Sequence, residues 1–108
     1  MVSALTNWLA VDGTHLATHI LPNVDEWDAD FFFCSAYKFF GPHVGIMAAK
    51  RNILESLKPA KVRPAPDRLP DKWMTGTQNH EGIAGLEAAL KYLATLGDGP
   101  KDGIRNEL

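Results

Sequence analysis

The chain has 108 residues, of which 45% are hydrophobic and 22% are charged, and this composition is typical of a globular domain rather than a disordered one. Its formal net charge is −2, so we expect no nucleic-acid binding. The sequence has no run of about 18 apolar residues, so we expect no membrane span. Residues 1–13 lack the pattern of a secretory signal. The single cysteine, Cys34, excludes an intrachain disulfide. Both features predict a cytoplasmic protein.

Three short apolar runs predict β-strands at residues 8–11, at Phe31–Ser35 and at residues 44–49. The runs are continuous rather than alternating, which is typical of strands buried on both faces in the sheet of an α/β protein. The pair Asp12-Gly13 ends the first run in a turn. Because three strands make a narrow sheet whose outer strands need neighbours, we expect an incomplete domain.

Three segments are predicted to be helical. Residues 22–30 predict a short surface helix, and residues 50–57 predict a second one. The clearest helix spans residues 82–96, with Asn79 as its N-cap. Four apolar residues of this third helix recur at helical spacing: Ile83, Leu86, Leu90 and Leu93.

Residues 58–74 contain four of the seven prolines, and we expect them to form an extended, exposed connection because proline lacks an amide donor and has a fixed φ. Gly97 is the predicted end of the last helix. Residues 98–108 are polar and are predicted to form a mobile tail. We therefore assign residues 1–97 to one partial domain that includes the proline-rich connection.

Polar residues follow the first two predicted strands. If these strands are parallel neighbours, the polar groups lie in the crevice beyond their carboxyl ends, where α/β folds bind ligands. A lysine that faces a carboxylate, with hydroxyls beside it, suits pyridoxal 5'-phosphate (PLP), which needs a Schiff-base lysine, an acidic partner for its ring nitrogen and donors for its phosphate. By residue type alone, a structural or solvated role remains the commoner case. The residues are Asp12, His15, Ser35, Tyr37 and Lys38.

Two other groups of residues have simpler interpretations. His15 and His19 have the i,i+4 spacing of metal ligands on a helix, but no third ligand of clear spacing follows, and we predict no metal site. Cys34 follows three phenylalanines and is predicted to be a buried core thiol rather than a nucleophile.

Three stretches, "VDGTH", "DADFFFCSAYKFFGPHVGIM" and "TGTQNHEGIAGLEAALKYL", together resemble the class V aminotransferase family of PLP enzymes, and within it the cysteine desulfurase-like group. The resemblance covers about residues 8–96. It implies an α/β fold of fold-type I, in which this chain forms part of the large cofactor domain, a few-stranded mixed sheet with flanking helices.

The resemblance also implies roles around the cofactor ring. Lys38 matches the lysine that holds PLP as an internal aldimine and later moves protons at the substrate α-carbon. Asp12 matches the carboxylate that pairs with the ring nitrogen. His15 stands where the family often has glutamine, the donor to the ring oxygen, and histidine can also donate this bond.

The phosphate and the partner subunit are implied in the same way. Ser35 matches a phosphate ligand, and Tyr37 stands where many members have histidine, with a hydroxyl that suits the phosphate. Thr77 matches a residue that reaches the phosphate of the partner subunit's cofactor, which implies a homodimer with a shared active site. The implied substrate is an amino acid, and the reaction is that of a desulfurase, a lyase or an aminotransferase.

Two alternatives to this active enzyme remain. Family members are several times longer and carry a phosphate loop and a small domain with a substrate arginine, none of which we can assign here. The first alternative is therefore that the chain is a catalytically inactive fragment or an interaction module that lacks a complete cofactor site. The second alternative is an unrelated small α/β ligand-binding domain.

Overall fold

The computed structural model describes residues 7–96 of the chain. The predicted helix end at Gly97, the predicted tail at 98–108 and residues 1–6 lie outside the described residues. The sheet contains strands β1 (Ala10–Asp12), β2 (Phe31–Ser35) and β3 (Gly45–Ala49), and the α-helices are α1 (Arg51–Ser56) and α2 (His80–Leu96). Short 3-10 helices lie at Leu16–Thr18, Ala36–Phe39 and Asp71–Trp73.

The sheet is mixed, with the strand order β1-β2-β3. Strand β1 runs parallel to β2, with Asp12 opposite Phe33, and β2 runs antiparallel to β3, with Ser35 opposite Gly45. The carboxyl ends of β1 and β2 therefore meet at one edge of the sheet, as the sequence predicts. This mixed sheet with flanking helices confirms the predicted α/β fold class.

The two faces of the sheet differ in burial. Phe32 and Cys34 point to one face, which we call the covered face, and their exposed fractions are 5% and 9%. The opposite side, which we call the open face, carries Asp12, Phe33 and Met47, and all three are exposed. The prediction that these strands are buried on both faces is therefore wrong for the part of the chain that the structure describes, because no element between residues 7 and 96 covers the open face.

Residues 22–30 form turns, so the predicted surface helix is wrong. Asp28 has a φ of 51°, in the left-handed region, which a right-handed helix cannot contain. Tertiary contacts explain this conformation. Trp27 packs against Phe32 with ring centroids 6.0 Å apart, and the Nζ of Lys50 lies 2.7 Å from Asp28 Oδ1 and 2.9 Å from Asp30 Oδ1.

Both predicted α-helices after β3 are present. Helix α2 begins at His80, slightly before the predicted start, and Asn79 Oδ1 accepts a hydrogen bond of 2.9 Å from the N–H of Gly82, which confirms the N-cap. A Cβ atom at Gly82 would lie 2.7 Å from Cγ2 of Val44, so the missing side chain lets α2 begin directly against the loop before β3. None of the helices within residues 7–96 combines the length and the apolar character needed to cross a bilayer.

The proline-rich connection is irregular over most of its length, but the prediction that it is exposed throughout is wrong at its end. Lys72, in the 3-10 helix Asp71–Trp73, is only 8% exposed. Its Nζ donates a hydrogen bond of 2.9 Å to the carbonyl of Glu55, and Nε1 of Trp73 donates one of 3.3 Å to the carbonyl of Leu54. These two bonds attach the connection to the end of α1, whose last carbonyls need donors.

Candidate functional site

A cleft of about 380 Å³ opens on the open face, where β1 and β2 end and β3 begins. Asp12 and Ser35, which come from different strands, lie in this one cleft because parallel strands end at the same edge of the sheet. The cleft is lined by Asp12, Thr14, Phe33, Cys34, Ser35, Gly45, Ile46 and Met47.

Asp12 carries the negative charge of the cleft. The backbone N–H of Thr14 donates a hydrogen bond of 3.0 Å to its Oδ1. Hydrogen bonds from the side chain and the backbone of Thr14, with a smaller contribution from the charge of His15, hold the pKa of Asp12 below its ordinary value. Asp12 is therefore ionised at neutral pH and suits a cationic partner such as a protonated ring nitrogen.

A tight turn fixes the position of Asp12. The N–H of Gly13 donates a hydrogen bond of 2.7 Å to the carbonyl of Phe33, and Gly13 itself is buried. A Cβ atom at Gly13 would lie 2.1 Å from Cε2 of Phe32. The residue after Asp12 must therefore lack a side chain, because the ring of Phe32 occupies that space.

Ser35 ends β2 in an extended conformation, with φ −129° and ψ 121°, and the 3-10 helix Ala36–Phe39 begins directly after it. Ala36 is completely buried. Its N–H donates a hydrogen bond of 2.9 Å to the carbonyl of Val44, and its carbonyl accepts one of 2.9 Å from the N–H of Gly41. These backbone bonds fix the turn that carries Tyr37 and Lys38.

Lys38 lies beside the cleft rather than in its lining. Its Nζ is 5.2 Å from the ring centroid of Tyr37, which in turn stacks on His43 at 5.2 Å between ring centroids. Phe40 follows the 3-10 helix and has a φ of 67°, and this left-handed conformation ends the helix. Lys38 is exposed, so no element between residues 7 and 96 shields its amine from water.

His15 and Thr77 are also exposed and lie outside the lining of the cleft. His15 precedes the 3-10 helix Leu16–Thr18, which lies next to the one that carries Lys38. Thr77 lies in an irregular segment before α2. His15 and His19 flank a 3-10 helix instead of sharing an α-helical face, and within residues 7–96 no three His, Cys, Asp or Glu side chains form a metal-binding group.

Of the residues that line the cleft, the sequence predictions named only Asp12 and Ser35 as site residues; among those they omitted are Thr14, Phe33 and Met47. A signal for Thr14 was available, because aspartate commonly accepts a hydrogen bond from the backbone two residues later. Phe33 and Met47 enter the cleft through the pairing register of β2 and β3, in which they lie opposite each other. The sequence alone does not give that register.

Residues 3–99 match the family model described as Aminotransferase class-V. The chain is 34% identical over 100 residues to a cysteine desulfurase of Pectobacterium carotovorum subsp. carotovorum (strain PC1), a match that covers 81% of this chain and 25% of that protein. It is 30% identical over 101 residues to a probable cysteine desulfurase of Staphylococcus aureus (strain Mu50 / ATCC 700699), covering 82% of this chain and 24% of that protein.

The structure shows the same similarity. It matches the crystal structure of the cysteine desulfurase CsdA (S-sulfonic acid) from Escherichia coli with a TM-score of 0.72 and 30% identity, covering 88% of this chain and 26% of that one. The chain thus spans about a quarter of the length of the relatives it matches. Its fold corresponds to part of a fold-type I enzyme, and the chain belongs to the class V aminotransferase family, whose members depend on PLP.

Proposed function

We propose that this chain supplies part of the active site of a PLP-dependent enzyme that acts on an amino acid, with Lys38 as the residue that holds the cofactor covalently. One observation carries the proposal: Asp12 and Ser35 meet in one cleft at the carboxyl ends of two parallel strands, and Lys38 follows Ser35 by one turn. The cysteine desulfurases among the relatives favour cysteine as the substrate.

The groups in and beside the cleft fit PLP. The ionised carboxylate of Asp12 would pair with the protonated ring nitrogen, and the imidazole of His15 would donate to the ring oxygen. The hydroxyls of Ser35 and Tyr37 would bind the phosphate. When bound, PLP supplies an electron sink for charge that develops on the substrate.

Lys38 would have two tasks in this enzyme. Its amine would be the point of covalent attachment, and after release it would move a proton at the substrate α-carbon. Thr77 would reach the phosphate in a partner subunit, so we propose a homodimer with a shared active site. We also propose that the enzyme is cytoplasmic.

The proposal is tested on the full 108-residue chain by mixing it with PLP, reducing with borohydride and locating the added mass by peptide mapping. We expect one modified residue, Lys38. The modification should disappear in Lys38→Ala and persist in Lys91→Ala, which removes an exposed lysine of α2. Asp12→Asn should weaken PLP binding because it removes the charge that faces the ring nitrogen.

Equal modification of many lysines, or unchanged labelling of Lys38→Ala, would contradict the proposed role of Lys38. Size-exclusion chromatography tests the shared site separately. We expect a dimer, and a protein that elutes as a monomer at all concentrations would contradict the proposed role of Thr77.

A second candidate function is a catalytically inactive chain that serves as an interaction module. The exposure of Lys38 and of the apolar residues Phe33 and Met47 on the open face favours it. In that case the chain would fold and show no specific PLP adduct at any lysine in the same reduction experiment.

A further inference from the structure

A second cavity, of about 240 Å³, lies between the end of α1 and the proline-rich connection, and it shares no residue with the cleft. We call it the lysine cavity because half of its lining residues are lysines. The lining consists of Leu57, Lys58, Pro59, Lys61, Asp67 and Lys72.

Lys72 is the most unusual of these residues because it is a buried cation. It is 8% exposed, and its Nζ donates a hydrogen bond to the carbonyl of Glu55. The ion pairs found within residues 7–96 do not include Lys72. Removing an ammonium from water without a counter-charge is unfavourable, so an anion in the cavity would stabilise this arrangement.

The other charges of the lining do not neutralise Lys72. Lys61 pairs with Asp67 at 3.0 Å, but the carboxylate of Asp67 is 96% exposed and is therefore screened by water. Lys58 is exposed at the mouth of the cavity. Three ammonium groups and one carboxylate leave the lining with two positive charges in excess.

We propose that the lysine cavity binds a phosphate group, either as inorganic phosphate or as a small phosphate monoester. The excess of two positive charges matches the charge of about −1.5 to −2 that a phosphate monoester carries at neutral pH. Lysine binds phosphate as a point charge, and the three lysines of this lining can do so without an arginine. The volume exceeds the ~30 Å³ of a water molecule several-fold but is below that of typical drug-sized sites, so the ligand is small.

A purely structural role explains part of this arrangement. The bond from Lys72 to the carbonyl of Glu55 satisfies one acceptor at the end of α1. It uses one of the three donors of the ammonium. Lys61 also has contacts inside the connection, because its Nζ donates a hydrogen bond of 2.5 Å to the carbonyl of Ala65 and pairs with Asp67. None of these contacts gives a reason for Lys58 to line the same cavity. The phosphate proposal accounts for all three lysines.

The test is calorimetric titration of the full chain with inorganic phosphate and, in a second arm, with glycerol phosphate, at constant ionic strength. We expect binding at one site with a Kd that rises about tenfold in Lys58→Gln and in Lys61→Gln, because each substitution removes one charged donor. Lys91→Gln removes the same charge on α2 and should leave the Kd unchanged. Lys58→Gln should also leave the Tm unchanged because Lys58 is exposed.

Tighter binding in one arm would support the proposal and identify the source of the phosphate group. Equal Kd values for Lys58→Gln and Lys91→Gln would overturn it. Binding that is lost in Ser35→Ala and kept in Lys58→Gln would also overturn it, because the phosphate would then occupy the cleft. The outcome is independent of the PLP experiment, since no residue of the lysine cavity takes part in the proposed cofactor site.

Discussion

The two faces of the sheet place the same kind of residue in opposite environments. Phe32 and Phe33 are neighbours in β2, yet Phe32 is 5% exposed on the covered face, whereas Phe33 is 40% exposed on the open face. The covered face holds the core around Phe32 and Trp27, and the open face holds the cleft with Asp12. In the described part of the chain, stability and candidate chemistry therefore lie on different sides of the same three strands.

The largest expected effect compares the two phenylalanines directly. We expect Phe32→Ala to lower the free energy of unfolding by about 3–5 kcal/mol because it opens a cavity in a small core. Phe33→Ala deletes the same atoms from the open face and should cost less than about 1 kcal/mol. Urea unfolding followed by circular dichroism measures both values. Equal losses would contradict the comparison, since they would mean that the open face is also covered in solution.

An intermediate effect is expected at two glycines. Gly13→Ala places a Cβ atom 2.1 Å from the ring of Phe32, so we expect a loss of about 1–3 kcal/mol from overpacking of the covered face. Gly45→Ala is the matched control, because a Cβ atom at Gly45 meets no atom within 4 Å. It should be neutral or slightly stabilising, since alanine is favoured over glycine inside a strand. Thermal unfolding compares the two, and a Gly45→Ala variant that is the less stable one would contradict the packing described here.

The smallest effect is a pH dependence that separates the two faces. Hydrogen bonds from Thr14 lower the pKa of Asp12, on the open face, from its ordinary value of 3.8. The ionised Asp12 therefore contributes to the free energy of unfolding above pH 3.8, and this contribution is lost as the pH falls through the lowered pKa. Burial raises the pKa of Cys34, on the covered face, from its ordinary value of 9.0. The neutral thiol therefore makes its full contribution to the free energy of unfolding below pH 9.0, and this contribution is lost as the pH rises through the raised pKa.

We therefore expect Asp12→Asn to flatten the acid limb of a plot of unfolding free energy against pH, and Cys34→Ala to flatten the alkaline limb. Urea titrations across the pH range measure both limbs. If Cys34→Ala left the alkaline limb unchanged, the ionisation of this thiol would not be linked to unfolding.

The sequence predicted the strands and the last helix well because these elements depend on local patterns. The apolar run Phe31–Ser35 matches β2, and Asn79 caps α2. The carboxyl-edge rule for parallel strands correctly placed Asp12 and Ser35 in one cleft.

The failures have tertiary causes. Residues 22–30 have the apolar spacing of a helix, but the packing of Trp27 on Phe32 and the ion pairs of Lys50 select turns instead. A continuous apolar run does not reveal which of its faces is covered, so the exposure of Phe33 was not predictable. The lysine cavity joins residues up to fifteen positions apart through irregular chain, where no periodicity relates Leu57 to Lys72.

The edges of the sheet have a consequence for handling the protein. Within the described residues, β3 pairs only with β2, so its outer side presents unpaired N–H and C=O groups next to the exposed side chain of Met47. Such an edge is a template for pairing with a second chain. A net charge of −2 provides little repulsion between molecules. We therefore expect a purified sample to aggregate more readily as its concentration rises.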